Sequence, residues 1–250
     1  MFEFFSKKKH TSPDLSGIGT DMHSHLLPGI DDGSPDPETS LQLIRGLMEL
    51  GYNNFITTPH IFWDLYKNTN ETIHPSHEIL RAEISSAGLK VNVRPAAEYF
   101  LDEHFDELLQ METPLRTLSK NMVLVETSFV NPPPDLKEKL FKLQIKGYQP
   151  VLAHPERYLY LMEKRGLYDS LKDAGCLFQL NLLSLTNYYG KGPTELAHYL
   201  IGKNYIDFIG TDLHHQRHLE CIQKAGAIMS TIQRLLDTGR ILNAKLELDQ

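Results

Sequence analysis

The feature that most constrains this fold is a repeated unit: a helical apolar pattern, a glycine, then a short apolar run of strand character. Leu41, Ile44 and Met48 lead to Gly51 and a strand from Tyr52. Ile84 and Ala87 lead to Gly88 and a strand around Val91, and Leu136, Leu140 and Leu143 lead to Gly147 and Val151-Leu152. Leu167 and Leu171 precede Gly175 and Leu177-Phe178-Gln179-Leu180, while Leu196 and Leu200 precede Gly202 and Ile206-Asp207-Phe208-Ile209. With Ile18–Met22 and Met122–Val125 added, about seven strands alternate with helices, a βα pattern that implies a parallel sheet. The first helix is well signalled, with Asp36 as N-cap, Pro37 at its first position and Glu38 in its first turn. The stretch from Gly226 to Ala244, with Ile228, Ile232, Leu235 and Leu236, is expected to form a closing helix.

Chemistry-bearing side chains gather where the strand-like runs end. They occur in His23-Ser24-His25, Thr58-Pro59-His60, Glu98-Tyr99, His154-Pro155-Glu156-Arg157 and Thr211-Asp212-Leu213-His214. An open, doubly wound sheet would also fit the alternation, but it concentrates its site at one switch point. Polar groups at nearly every strand end favour a parallel barrel, which gathers those ends at one rim. A His-x-His pair alone is a weak signal. Here Asp32, His60, Glu98, Glu126, His154, Asp212 and His214 extend it, Asp32 being chosen over Asp31 on spacing. Buried carboxylates are costly unless paired with positive charge, and few lysines or arginines lie nearby in sequence. Imidazole and carboxylate are ligands for divalent metals, so a multinuclear metal site and a hydrolase are expected.

The chain has 250 residues, enough for one barrel-sized domain over 18–250 with an N-terminal extension over 1–17. Its formal charge of −7 argues against broad nucleic-acid binding but allows a local cationic pocket. The two cysteines, Cys176 and Cys221, show no paired spacing, which suits a reducing, cytoplasmic setting. No apolar stretch approaches a membrane span. The opening Met1-Phe2-Glu3-Phe4-Phe5-Ser6 precedes Lys7-Lys8-Lys9, the reverse of a secretory signal. A frayed or packed terminus is the expectation there, and peripheral contact with a membrane the alternative.

The ordered motifs resemble the PHP (polymerase and histidinol phosphatase) family, and more closely its bacterial protein-tyrosine phosphatases linked to capsule and exopolysaccharide synthesis. The matching stretches are Asp21-Met22-His23-Ser24-His25 with Gly29-Ile30-Asp31-Asp32-Gly33, Thr57-Thr58-Pro59-His60, Ala97-Glu98-Tyr99 and Leu124-Val125-Glu126-Thr127-Ser128. They continue with Leu152-Ala153-His154-Pro155-Glu156-Arg157-Tyr158, Gln179-Leu180-Asn181 and Gly210-Thr211-Asp212-Leu213-His214. The resemblance implies an α/β, distorted seven-stranded TIM-like barrel holding three divalent metals, with manganese expected and iron or zinc as alternatives. One metal would be held by His23, His25, Glu98 and Asp212, a second by shared Glu98 with Glu126 and His154, and a third by Asp32, His60 and His214. Arg157 would bind phosphate. The implied substrate is a phosphotyrosine protein, in particular a bacterial tyrosine kinase. The rivals are a small-molecule phosphatase of the histidinol-phosphate type and a non-catalytic metal-binding module.

One departure concerns the substrate's surroundings. The phosphatases compared tend to carry basic residues just after the position of His60, whereas Ile61-Phe62-Trp63-Asp64 follows here. Phe62, Trp63 and Tyr66 could form an apolar wall for a phenyl ring, or simply pack on helices. Tyr188, Tyr189 and Lys191 could line an aromatic slot, or form an ordinary barrel loop. His215 and His218 read as exposed residues at a helix start, with proton donation as the alternative. A thiol phosphatase loop is excluded, because Cys-x5-Arg reaches Leu182 from Cys176 and Ala227 from Cys221.

Overall fold

The computed structural model describes residues 12–248. The N-terminal phenylalanine and lysine run lies outside those residues. Nine short strands are β1 (Thr20–Asp21), β2 (Asn54–Thr57), β3 (His60–Ile61), β4 (Asn92–Pro95), β5 (Glu98–Phe100), β6 (Met122–Glu126), β7 (Gln149–Ala153), β8 (Leu177–Asn181) and β9 (Phe208–Gly210). Every pair is parallel. They form two sheets, ordered β1-β2-β4 and β3-β5-β6-β7-β8-β9. Where about seven strands were expected, the described residues form nine short ones in two parallel sheets. The extra breaks have a local cause in one case: Pro59 has no N–H to give a ladder, and the chain divides there into β2 and β3. Ala96 and Ala97 separate β4 from β5, although Ala96 N–H still donates to Thr57 O at 2.8 Å.

The last and first strands meet through contacts beyond their regular span. Asp212 N–H donates to His23 O at 2.8 Å, and His25 N–H donates to Leu213 O at 2.9 Å. A parallel bridge pairs Ser24 with Leu213. At the opposite end, the buried Asn243 side chain inserts between them. Its Nδ2 donates to Thr20 O at 2.9 Å and Ile209 O at 2.6 Å, and its Oδ1 accepts from Ile209 N–H at 2.9 Å.

The helices are α1 (Pro37–Glu49), α2 (Asn70–Ser86), α3 (Glu103–Gln110), α4 (Leu136–Ile145), α5 (Gly166–Asp173), α6 (Lys191–Gly202), α7 (Gln216–Gln223) and α8 (Met229–Asp237). Asp36 caps α1, its carboxylate accepting from Thr39 N–H at 2.8 Å. The buried face of α1 runs through Leu43, Ile44 and Leu47, while Leu41 and Met48 are only half-buried. The expected closing helix is shorter than Gly226–Ala244: a 3-10 turn over Gly226–Ile228 precedes α8, and the chain leaves the helix before Gly239, whose φ is +68°. The released segment is what carries Asn243 to the strands. No helix among the described residues is long and apolar enough to cross a membrane.

Both faces of the strands are apolar, as parallel sheets covered on both sides require. Phe55, Val123, Val125, Leu152, Phe178 and Ile209 join the larger cluster shared with the helices. Met22, Ile56, Ala96, Leu124, Val151 and Phe208 form a smaller inner cluster. Strand alternation places Glu98 two residues beyond Ala96 and Glu126 two beyond Leu124, on the same side of the pleat. The inner apolar cluster is thus the floor beneath the polar site. Leu15 is buried, and its N–H donates to Leu50 O at 2.7 Å, so the chain already packs on this body before β1.

Candidate metal centre

Glu98 sits in the middle of the converging side chains. Its Oε2 lies 3.1 Å from His23 Nε2, 3.4 Å from His25 Nε2 and 3.3 Å from His60 Nδ1, and its Oε1 lies 3.2 Å from His154 Nε2. Asp212 Oδ1 approaches His23 Nε2 at 3.3 Å and His25 Nε2 at 3.6 Å. Glu126 Oε1 is 3.0 Å from His60 Nδ1. Asp32 Oδ1 is 3.5 Å from His60 Nε2 and 3.6 Å from His214 Nε2. All the metal-type residues singled out in the sequence are therefore brought to one place.

Three groups have the compactness of ion sites: His23, His25, Glu98 and Asp212; His60, Glu98 and Glu126; and His25, Asp32, His60 and His214. The first matches the set that the family resemblance implies. The other two differ in detail, since His60 faces both and His154 reaches the centre through Glu98.

Neighbouring groups fix the ring orientations. Gln179 Oε1 accepts from the His154 backbone N–H at 3.1 Å, so the atom facing His23 Nδ1 at 2.9 Å is that same oxygen. His23 must then carry its proton on Nδ1. Asp31 accepts from His25 Nδ1 at 2.8 Å, from His60 N–H at 3.1 Å and from Gly33 N–H at 3.0 Å. Asp31 is thus an orienting carboxylate, and its neighbour Asp32, with 52% of its side chain exposed, is the one that faces the cleft. Asp212 is held likewise: its Oδ2 accepts from Asn181 Nδ2 at 2.8 Å and Arg157 Nη1 at 2.7 Å, leaving Oδ1 for the rings.

These commitments test whether a metal fits. With both Nδ1 protons directed outward, the Nε2 lone pairs of His23 and His25 lie 3.4 Å apart and face carboxylate oxygens. Acceptors would then meet acceptors. Protonating both rings would instead set two N–H bonds against each other. A donor set of this kind closes around cations, and the residues fit them. Two of the residues also hold left-handed backbone conformations, His154 with φ +32° and Asp212 with φ +51°. Such strain in non-glycine residues persists where surrounding structure over-determines it, commonly at functional sites.

Electrostatics agree in sign. Burial alone would raise the Glu98 and Asp212 carboxyls, but the adjacent rings, His23 first, hold both well below the usual range. Burial would lower His60, yet Glu126 and Glu98 bring it up to about 9. The centre therefore favours ionised carboxylates next to positive charge.

The rings face a cleft of about 230 Å³ whose wall includes Phe129, Arg157, Tyr189 and His218. The Arg157 guanidinium carbon lies 4.6 Å from the Phe129 ring centre and 4.2 Å from that of Tyr189. His215 is exposed and caps α7, but His218 is buried, which corrects the expectation that both are exposed. Its imidazole turns inward beside Tyr188 at the start of α7. Burial and the His215 ring push its pKa down to about 4. Phe62 stacks on Phe100 at 4.0 Å and Trp63 on His104 at 3.7 Å, so both pack against neighbours. Tyr66 stacks on His60 at 5.4 Å, and Tyr189 lines the cleft. Sequence reasoning passed over Phe129 and the orienting role of Gln179. The signal for Gln179 was available: an amide in the middle of an otherwise apolar strand.

Comparison with known proteins gives this geometry a context. The chain is similar to the tyrosine-protein phosphatase YwqE of Bacillus subtilis (strain 168), 29% identical over 195 residues, covering 78% of this chain and 77% of YwqE. It is also similar to the tyrosine-protein phosphatase CpsB of Streptococcus pneumoniae, 24% identical over 201 residues, covering 78% of this chain and 82% of CpsB. A chain from the crystal structures of YwqE from Bacillus subtilis and CpsB from Streptococcus pneumoniae, described as metal-dependent tyrosine phosphatases, matches with a TM-score of 0.79 and 26% identity, over 90% of this chain and 94% of that one. A lactonase from Listeria monocytogenes shares the fold alone, with a TM-score of 0.56 and 11% identity over 94% of this chain and 96% of the other. The family model for capsular polysaccharide synthesis, CpsB/CapC, matches residues 19–236, and the chain belongs to that family.

Proposed function

We propose that this protein is a metal-dependent phosphatase that hydrolyses phosphotyrosine in proteins, among them a bacterial tyrosine kinase controlling capsule or exopolysaccharide synthesis. The observation that carries the reading is the convergence of His23 and His25 Nε2 on Glu98 and Asp212, with Arg157 fixed beside them. The similarity to YwqE and CpsB supports the substrate class. Three divalent ions are proposed, the first on His23, His25, Glu98 and Asp212. The second would use Glu98, Glu126 and His154, and the third Asp32, His60 and His214. Oxygen and imidazole donors without thiolate fit manganese, iron or zinc, and availability decides among them; manganese is the expectation that goes with the family resemblance.

Divalent cations held there would supply electrophilic charge to phosphate oxygens and lower the pKa of water towards neutrality. The chain's own residues do the rest. Arg157 commits one N–H to Asp212, and its remaining fork is free to take phosphate oxygens in the planar geometry that a guanidinium matches. Its charge is placed before substrate arrives, so stabilising the transition state requires no reorganisation. The leaving phenolate of phosphotyrosine has a pKa of about 10 and departs with little proton donation. That suits a cleft in which one buried histidine, His218, is held neutral at physiological pH.

We further read the two sheets as one distorted seven-stranded barrel. In that reading β2 runs on into β3 and β4 into β5, and the Ser24–Leu213 bridge closes the seam. The free thiols of Cys176 and Cys221 support a cytoplasmic setting.

The test is phosphate release from a phosphotyrosine peptide, a phosphoserine peptide and histidinol phosphate, with manganese or with chelator, for wild type and His23→Ala. Chelator-sensitive release mainly from phosphotyrosine, lost in the variant, is the expected result. Release mainly from histidinol phosphate would move the function to small-molecule metabolism. About three equivalents of metal per chain are expected, and none would sink the metalloenzyme reading.

A further inference from the structure

Resting on the phosphatase reading, we propose that Phe129 is the specificity-determining residue of this site: its ring receives the phenyl ring of a phosphotyrosine whose phosphate is held at Arg157. Three other aromatic residues near the site pack outside the cleft lining. Phe62 stacks on Phe100, Trp63 stacks on His104 and Tyr66 lies against His60. Phe129 and Tyr189 are the aromatic rings in the cleft wall. Tyr189 is half-buried, its hydroxyl accepting from Asn181 Nδ2 at 3.3 Å and its ring backing the Arg157 guanidinium. Phe129 differs. It is 43% exposed, it follows the end of β6, and the next residue, Val130, is 75% exposed. Phe129 is thus an apolar edge on a cleft otherwise lined by imidazole, carboxylate, guanidinium and the Tyr189 ring.

A single exposed phenylalanine is ordinary on a protein surface; what singles out Phe129 is that its ring lines the cleft beside Arg157. Phe129 is held there by three neighbours, one of them the Tyr158 ring at 5.6 Å. Its ring lies 4.6 Å from the Arg157 guanidinium carbon and 5.5 Å from the His154 ring, nearly parallel to the latter at 29°. In an aryl phosphate the ring carbon is joined to the bridging oxygen, so a phosphate on Arg157 brings the aryl ring within contact range of Phe129. An alkyl phosphate leaves that contact unfilled. Aromatic pairs in offset or edge geometry contribute beyond their area burial, which is enough for a preference of about tenfold.

Calorimetric binding of phenylphosphonate and methylphosphonate to the manganese-loaded protein separates ring recognition from phosphate recognition and from turnover. Wild type should bind the phenyl compound about tenfold more tightly. Phe129→Ala should abolish that difference while changing methylphosphonate affinity less than twofold, and Phe129→Tyr should restore it. Metal content should be the same in all three proteins. Equal affinities in wild type, a preference retained in Phe129→Ala, or an equal loss for both compounds would overturn the proposal. The last result would assign Phe129 to holding Arg157 alone. A phenyl preference that depends on Phe129, without turnover of a phosphotyrosine peptide, would instead overturn the phosphatase reading and leave this inference standing.

Discussion

One oxygen of Gln179 fixes both His23 and His154, accepting from His23 Nδ1 at 2.9 Å and from the His154 backbone N–H at 3.1 Å. The amide therefore sets the tautomer of one ring and the backbone position of the other. Gln179 is fully buried, and its Nε2 has no hydrogen-bond partner among the described residues. The oxygen is what the site uses.

Gln179→Leu keeps approximate volume and removes that acceptor. Outer partners of metal-bound histidines typically govern affinity by about 10- to 100-fold. Manganese affinity, read by chelator competition, should weaken within that range while the circular dichroism spectrum is unchanged. Affinity within twofold of wild type would show that His23 orients without Gln179.

Gly33 allows the Asp31-Asp32 turn to fold back over His25. A Cβ at this position would lie 2.3 Å from His25 O and 2.4 Å from His25 Cβ, which are backbone and backbone-proximal atoms that cannot swing aside. Gly33→Ala should destabilise the protein by about 2–3 kcal/mol, in the range for overpacking, and displace Asp31 from His25. Urea denaturation measures the first effect and metal affinity the second. A variant as stable as wild type would mean that the turn yields easily.

Which parts were legible from sequence follows from what decides each of them. The α1 cap at Asp36 and the strand-end histidines and carboxylates could be read because local rules and side-chain chemistry specify them. Asp31 and Asp32 are adjacent and chemically alike; only the approach of His25, His60 and Gly33 determines which one orients and which one faces the cleft. The strand break at Pro59 was readable in principle from the missing N–H. Phe129 carried no signal, because its role depends on lying beside Arg157, which is distant in sequence. Asn243 was absorbed into a helical pattern that ends earlier, since periodicity cannot show a side chain hydrogen-bonded to two strands.

Cys176 gives a pH prediction away from the metal centre. Burial pushes its thiol up to about 12 from 9.0, the charge of Lys172 opposing the shift. The folded state therefore holds the proton more tightly than the unfolded state. Its contribution to stability is full below about pH 9 and is lost as pH rises towards 12, with a slope of at most about 1.4 kcal/mol per pH unit. Cys176→Ala should make the alkaline fall in unfolding free energy shallower between pH 9 and 11, in steps of about one unit. In native protein at pH 8, iodoacetamide should label the partly exposed Cys221 and spare buried Cys176. Rapid labelling of both would refute the buried, protonated thiol.

Asn243 tests how far the contact between the first and last strands supports the fold. Its amide answers three buried backbone groups: Thr20 O, Ile209 O and Ile209 N–H. Removing the partner of a buried polar group costs about 1–3 kcal/mol for each group that stays dry. Water can enter a cavity lined by several polar groups, which reduces the sum. Asn243→Ala should therefore lose about 3 kcal/mol in urea denaturation, and a chain of this size should lose roughly 6–12 °C in Tm. Asn243→Asp should be worse, because a carboxylate cannot donate and would face both carbonyl oxygens. An aspartate variant more stable than the alanine variant would mean that space filling, not the donated hydrogen bonds, joins β1 to β9.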